Sequence, residues 1–318
     1  MKGSGKIFEG LNAEQAAAVR SIHGPVLVFA GAGTGKTRVI THRIAHMIDC
    51  GIDAGNIAAM TFTNKAANEM RERLASLVRS EESKRVFIGT FHSYCSRLLR
   101  REITLLGWTA DFTIADDSDQ ISIIKQAIAE LGFKDDLQPS VCMNVISRCK
   151  SLMKEPGELK DDGVGRDYAN IAEVYEKYNS LLFVQNMLDF DDLLLLTVRI
   201  FEKFPDVLDA CRRKHSHLLV DEYQDTNSLQ FKLIRMLAGD AMNLCVVGDD
   251  DQSIYGWRGA EVRNILDFPK YFKGVKSFKL EQNYRSTKTI LDAANAVISK
   301  NADRHEKNLW SECGDGEP

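Results

Sequence analysis

An apolar tetrad, Val26-Leu27-Val28-Phe29, runs directly into Ala30-Gly31-Ala32-Gly33-Thr34-Gly35-Lys36-Thr37-Arg38. Beyond it, Ile40, Ile44, Met47 and Ile48 recur at helical spacing. A buried strand, a glycine-rich turn and a helix in that order leave the chain little freedom. The turn has to present backbone N–H groups at a helix N-terminus, where the aligned peptide dipoles favour an anion. Gly-Lys-Thr in that position is the pattern of a phosphate-binding loop. The N–H groups of Gly33, Thr34, Gly35 and Lys36 are expected to wrap the phosphates of a nucleotide, with Ala32 and Arg38 flanking them. Lys36 would reach the β- and γ-phosphates, and the Thr37 hydroxyl would hold Mg²⁺. The strict pattern begins with glycine, and here that place is Ala30, which leaves the dihedral of the first loop residue open. The bland alternative is a glycine-rich strand-to-helix turn with no ligand.

The chain has 318 residues, enough for two domains or for one with a large insertion. Its formal net charge of -4 provides no global basic field, so any contact with nucleic acid must follow a local track. The 7 cysteines are scattered without a Cys-x-x-Cys pair, which predicts reduced intracellular thiols in place of disulfides or a zinc site. The start, Met1 to Lys6, leads into no apolar signal region, and no stretch is long and apolar enough to span a membrane. The expected location is cytoplasmic.

Near the start, Asn12 has the character of a helix N-cap with Gln15 three residues on. Gln15 either closes that cap or offers its amide, both donor and acceptor, to an adenine edge. A second strand is expected over Ile57 to Thr63, followed by a helix with Ala67, Met70, Leu74, Leu77 and Val78 on one face and Asn64 and Lys65 at its start. Ligands of open α/β sheets bind beyond the carboxyl ends of the strands. Phe62 stands at such an end and either stacks on a base or fills the core. A third strand, Val86-Phe87-Ile88, leads into Gly89-Thr90-Phe91-His92-Ser93, where His92 is given a contact role. Lys65, Arg97, Arg100 and Arg101 are nearby candidates for phosphates.

From about Trp108 to Leu188 the sheet rhythm gives way to helical patterns. Ser118 can cap a helix carrying Ile121, Ile124, Ile128 and Leu131, and Ile171, Val174, Tyr175, Tyr178 and Leu182 mark another. Glu155-Pro156-Gly157 and Asp161-Asp162-Gly163 read as turns. Asp189-Phe190-Asp191-Asp192, ahead of four leucines, reads as a helix N-terminus carrying acids or as a metal site.

Three further blocks carry chemistry. His217-Leu218-Leu219-Val220 is a buried strand ending in Asp221-Glu222. Opposite a phosphate loop, Asp221 is expected to hold Mg²⁺ and Glu222 to orient and deprotonate a water. Leu244 to Gly248 leads into Asp249-Asp250-Asp251-Gln252-Ser253-Ile254-Tyr255-Gly256-Trp257-Arg258. Gln252 could sense a γ-phosphate there, and Trp257 and Arg258 could offer a stacking plane to a base. In the segment Val275 to Ser286, Tyr284 could stack on adenine and Arg285 could stabilise charge on a transferred phosphate. After Thr287 a helix is expected through Ile290, Leu291, Ala294 and Ile298.

Taken as an ordered set, Leu11 to Gln15, Ala30 to Arg38, Thr61 to Met70, Gly89 to Arg100, Val220 to Asn227, Val247 to Ala260 and Asn283 to Ser286 closely resemble the UvrD/Rep-type superfamily 1 DNA helicases. The resemblance implies an α/β fold with a RecA-like parallel sheet, flanking helices and an inserted helical subdomain. It implies an ATP-driven motor that moves 3′→5′ on single-stranded DNA and opens duplex junctions, with ATP and Mg as its cofactors. It makes Gln15 an adenine reader and Tyr284 the adenine stacker. Lys36, Thr37, Asp221, Glu222, Gln252 and Arg285 become the phosphate, metal and water residues. Phe62, Asn64, Lys65, Thr90, His92, Tyr255, Trp257 and Arg258 become the DNA track.

On that basis residues 1–107 and 189–274 are two parts of a first motor domain. Residues 108–188 are its accessory insertion, and 275–318 begin a second motor domain that is cut short. The expectation that follows is a half-motor that binds nucleotide and unwinds poorly. A non-catalytic nucleotide-binding scaffold or regulatory module is the alternative. A small-molecule kinase is a third reading, one that leaves Phe62 and Trp257 unexplained.

Overall fold

A computed structural model describes residues 4–133, 137–161, 166–240, 242–301 and 304–316. Among the described residues eight strands occur in chain order: β1 (Val26–Ala30), β2 (Ile57–Thr61), β3 (Phe87–Thr90), β4 (Thr113–Ile114), β5 (Met187–Leu188), β6 (His217–Val220), β7 (Leu244–Gly248) and β8 (Lys276–Leu280). The described chain divides into two compact units.

The first unit comprises the residues up to Thr90, Asp209–Thr226 and those from Ile234 onward. Its centre is a 6-stranded sheet in the order β3-β2-β6-β7-β1-β8, with every pairing parallel. Val26, Val28 and Ala30 of β1 pack with Ile40, Ile44 and Met47 of the helix Lys36–Asp49 and with Ala67, Met70 and Leu74 of the helix Asn64–Leu77. Leu27 and Phe29, which point the opposite way, are also buried. Burial on both faces explains why these strands read as continuous apolar runs without alternation. Because all six strands are parallel, the segments that follow them emerge at one edge of the sheet. The stretch after Val275 contributes β8, which pairs with β1 at the sheet's end.

Ala30 is the last residue of β1 and is fully buried. Its place in the loop pattern is therefore a strand position, where glycine has no conformational advantage. The second strand ends at Thr61, two residues short of the expected Thr63, because the Thr63 hydroxyl accepts from Ala66 N at 3.1 Å and caps the next helix.

The second unit comprises Phe91–Leu208 and Asn227–Leu233. It is mostly helical, with β4 and β5 forming a two-stranded parallel pair. Ile124 and Ile128, Cys142 and Ile146, and Ile171, Val174, Tyr175, Tyr178 and Leu182 share one core. Two local readings change. The cap of the helix Asp117–Glu130 is Asp116, not Ser118, and its carboxylate accepts from Ser118 N at 2.8 Å and Asp119 N at 2.9 Å. Asp116 has the extended backbone of an N-cap, whereas Ser118 already lies inside the helix. Glu155-Pro156-Gly157 opens the short helix Pro156–Asp161, where a proline in the first turn loses no hydrogen bond. Of the second expected turn, Asp162 and Gly163 lie outside the described residues.

The acids at Asp189 to Asp192 do begin a helix, Phe190–Lys203, and Asp189 and Asp192 form its capping box. Between them sits Lys150, fully buried, with its Nζ 2.6 Å from Asp189 and 2.8 Å from Asp192. Tyr178 donates to Asp189 at 2.9 Å. A lysine thus fills the place of the metal that the acid cluster alone suggested. Burial and the Asp189 charge push the Asp192 carboxyl up to about 7. Removing one member of such a buried set leaves unpaired charge, which costs about 3–5 kcal/mol. Lys150→Met is expected to destabilise this unit by that amount, read as a lowered urea midpoint. A change under about 1 kcal/mol would contradict the account.

Candidate active site

The loop after β1 is built by backbone that only glycine adopts easily. Gly33 has φ +71° and Gly35 φ +90°. A Cβ on Gly33 would lie 2.6 Å from the Asn283 side chain, and one on Gly35 would lie 2.9 Å from Gln15 Nε2. Thr34 folds the turn on itself, its hydroxyl donating to Gly31 O at 2.8 Å. The helix Lys36–Asp49 starts from Gly35 with no side-chain cap, so its first N–H groups keep their donors for a ligand.

Other segments hold this loop from outside. Gln15 is fully buried. Its Nε2 donates to Thr34 O at 2.8 Å, and its Oε1 accepts from Asn12 N at 3.1 Å. The capping role is therefore present, and the same amide also braces the phosphate loop. Asn283 Nδ2 donates to Ala32 O at 2.6 Å, and Tyr284 N donates to Gly33 O at 3.0 Å. Asn283 Oδ1 in turn accepts from Arg285 N at 2.8 Å and Ser286 N at 2.7 Å, an Asx turn. Tyr284 is 45% exposed and its hydroxyl donates to Gln282 Oε1, which also accepts from Asn12. Tyr284 and the Asn12–Gln15 cap are thus joined through one side chain. The Arg285 side chain is exposed. Arg38 turns away from the loop, its Nη2 lying 3.5 Å from Glu9 O and against Gly10.

Facing the loop, Lys36 Nζ lies 2.9 Å from Glu222 Oε2. Glu222 is held at φ +50°, an uncommon left-handed conformation for a residue with a side chain. Gln224, itself buried, donates to Glu222 Oε2 at 3.0 Å and to Asp225 Oδ2 at 3.2 Å, and accepts from Asp249 N at 3.0 Å. One amide therefore couples the turn after β6 to the turn after β7. Gly248 lets it pass, since a Cβ there would lie 2.5 Å from Gln224 Oε1.

Burial and the neighbouring Glu222 push the Asp221 carboxyl up to about 7, against the opposing pull of Lys36. Asp225 is raised to about 6 by burial and Glu222, and its Oδ1 is buried without a hydrogen-bond partner. Among the described residues, Asp221, Glu222 and Asp225 share the charge of Lys36. A divalent cation would suit this acid-rich set, and the buried Asp221 carboxylate and half-buried Thr37 hydroxyl are the hard oxygens that could hold it. Gln252 follows Asp249, Asp250 and Asp251, and its amide donates to Asp249 Oδ2.

The residues expected along a DNA track fall as follows. Phe62 is half-buried just past the end of β2, and Asn64 and Lys65 are exposed at the start of the next helix. Thr90 is buried at the end of β3. Trp257 is 74% exposed and Ile254 71%, with Tyr255 between them at 39%. The side chain of Arg258 lies outside the described residues. His92 belongs to the second unit, where its ring meets Phe190 edge-on at 5.7 Å, and burial lowers its pKa. Gln224, Gln282 and Asn283 are the contributors that motif reading passed over. An Asn two residues ahead of an arginine in a turn is the one signal that marks Asn283 in the sequence.

Residues 11–273 match the UvrD/REP helicase N-terminal domain, and residues 278–318 match the UvrD-like helicase C-terminal domain. The chain belongs to the UvrD/REP helicase family. Among similar proteins is the ATP-dependent DNA helicase PcrA of Staphylococcus aureus (strain COL), 45% identical over 313 residues, which cover 98% of this chain and 43% of that protein. PcrA of Staphylococcus epidermidis is 44% identical over the same shares. The chain thus spans under half the length of these UvrD/REP relatives. No helix among the described residues is long and apolar enough to cross a membrane.

Proposed function

We propose that this chain carries the ATP site and part of the DNA track of an ATP-dependent DNA helicase that moves 3′→5′ on single strands. The observation that supports this most is the Lys36–Glu222 pair at 2.9 Å beside the buried Asp221, at the mouth of a loop shaped by Gly33 and Gly35. A binding module has no need of a carboxylate held in a strained backbone beside the phosphate lysine. A hydrolase does.

In this reading the loop N–H groups and Lys36 grip the phosphates of ATP. Thr37 and Asp221 hold Mg²⁺, which when bound neutralises charge on the β- and γ-phosphates. With phosphate present, Lys36 exchanges Glu222 for the nucleotide and frees that carboxylate. Glu222 then accepts the proton of the attacking water, at an oriented distance kept by Gln224. Gln252 faces the γ-phosphate and Arg285 stabilises charge on the transferred group. Tyr284 stacks on adenine. Gln15 reads the adenine edge with the second N–H and lone pair that its cap leaves over.

Phe62, Asn64, Lys65, Thr90, His92, Tyr255, Trp257 and Arg258 form the DNA contacts. Trp257 offers a face for base stacking, worth about 1–3 kcal/mol per base. Residues 108–188 act as an accessory insertion, and the segment from 275 onward begins the second motor domain. In this reading these residues, which cover 43% of the PcrA relative, bind nucleotide and DNA and separate strands poorly by themselves, since stepping needs two domains closing on ATP.

The test is binding of a fluorescent single-stranded oligonucleotide, with ATP turnover measured beside it. Trp257→Ala is expected to weaken oligonucleotide binding about 5- to 150-fold without changing ATP affinity. Unchanged oligonucleotide binding would remove Trp257 from the track. Efficient strand separation by this chain would overturn the half-motor reading.

A further inference from the structure

Asp249, Asp250 and Asp251 bring three carboxylates within 4.8 Å of one another at the end of β7. The chain itself supplies their counter-charge. Lys307 Nζ lies 2.7 Å from an oxygen of each of the three, with a side chain only 3% exposed. Its three donors match three acceptors. Arg304 adds a two-pronged contact to Asp251, at 3.0 and 2.8 Å, and His305 N donates to Asp250 at 2.8 Å.

The same short segment reaches the other parts of the phosphate site. The His305 ring lies over Phe29 of β1 with centroids 4.0 Å apart. Leu309 packs on Gly31, where a Cβ would come within 2.4 Å of Leu309 Cδ2. Trp310 O accepts from Asn283 N at 2.8 Å, and Trp310 N donates to Glu281 O at 3.0 Å. Residues 304–310 therefore touch the strand before the loop, the loop, the turn that carries Gln252, and the Asn283–Arg285 turn.

We propose that Lys307, seconded by Arg304, is a positioning residue for γ-phosphate recognition, holding the Asp249–Asp251 turn so that Gln252 faces the nucleotide. Asp249 is the link, since it accepts from Gln252 with one oxygen and from Lys307 with the other. Without the cation, three adjacent carboxylates repel and the turn opens, carrying Gln252 away. The loop and Lys36 keep their own supports, so contacts shared by ATP and ADP survive. The inference rests on the nucleotide site proposed above.

The experiment titrates the full chain with fluorescent ATP and fluorescent ADP in the presence of Mg²⁺. Lys307→Met is expected to weaken ATP about tenfold, the scale of one lost charge-assisted contact, while ADP stays within about twofold. Lys307→Arg should recover most of the loss. Gln252→Ala should show the same ATP-selective loss, and Lys307→Met combined with Gln252→Ala should lose no more than either alone, because the two act as one unit.

Should Lys307→Met fail to fold by circular dichroism, Arg304→Gln, which leaves Lys307 on all three acids, carries the same prediction at about threefold. Equal losses for ATP and ADP, or independent losses that add in the double variant, would overturn the proposal while leaving the nucleotide site intact. A folded wild-type chain that binds neither nucleotide would overturn the site and the proposal together.

Discussion

Glu222→Gln is expected to separate binding from turnover. A positioned general base contributes about 10²–10⁴ in rate. Glutamine keeps the size of the side chain and loses the proton acceptor, so hydrolysis of radiolabelled ATP by this chain should fall by that factor. Binding should hold or tighten. Glu222 is the second cause of the raised Asp221 pKa, after burial, and it pairs with Lys36, which in the proposed reading is the phosphate lysine. Removing its charge lowers the Asp221 pKa and frees Lys36, and both changes favour a metal-bound nucleotide. An unchanged hydrolysis rate would assign the base elsewhere, with Asp225 the next acid in the site.

Lys36→Ala should have the opposite signature, loss of binding itself. A hydrogen bond to a charged group is worth about 1.5–3 kcal/mol, so one lost phosphate contact weakens ATP roughly 10- to 150-fold. The variant also removes the Lys36 charge that opposes the raised pKa of both Asp221 and Asp225, leaving three acids to repel the phosphates. The observed loss should therefore lie at the upper end. Fluorescent nucleotide titration checks it, with circular dichroism to show that the fold persists. Affinity within about threefold of wild type would exclude Lys36 from the phosphate site.

Much of this was legible because the signals are local. A buried parallel strand is an unbroken apolar run, and the segment after it carries the chemistry. Val26 to Lys36, His217 to Glu222 and Leu244 to Gln252 could each be read without knowing the neighbouring strands. Ala30 departed from the loop pattern harmlessly, since it lies within the strand. What stayed hidden depends on partners distant in sequence. Lys150 meets Asp189 across 39 residues, and Lys307 meets Asp250 across 57. In each case the acids were visible as a cluster and the lysine looked like any other surface charge. The role of Asn283, which reaches Ala32 across 251 residues, was hidden in the same way. Ser118 and Pro156 misled for a different reason: a cap and a helix start share their residue types with ordinary turns.

The central claim is that this chain binds a metal nucleotide at the loop after β1. Calorimetric titration with ATP, with and without Mg²⁺, tests it most directly. The account predicts one saturable site per chain that weakens when Mg²⁺ is withheld, because Thr37 and Asp221 then have no ion to share with the phosphates. A folded chain that takes up no ATP at millimolar concentration, or binds it equally well without the metal, would contradict it.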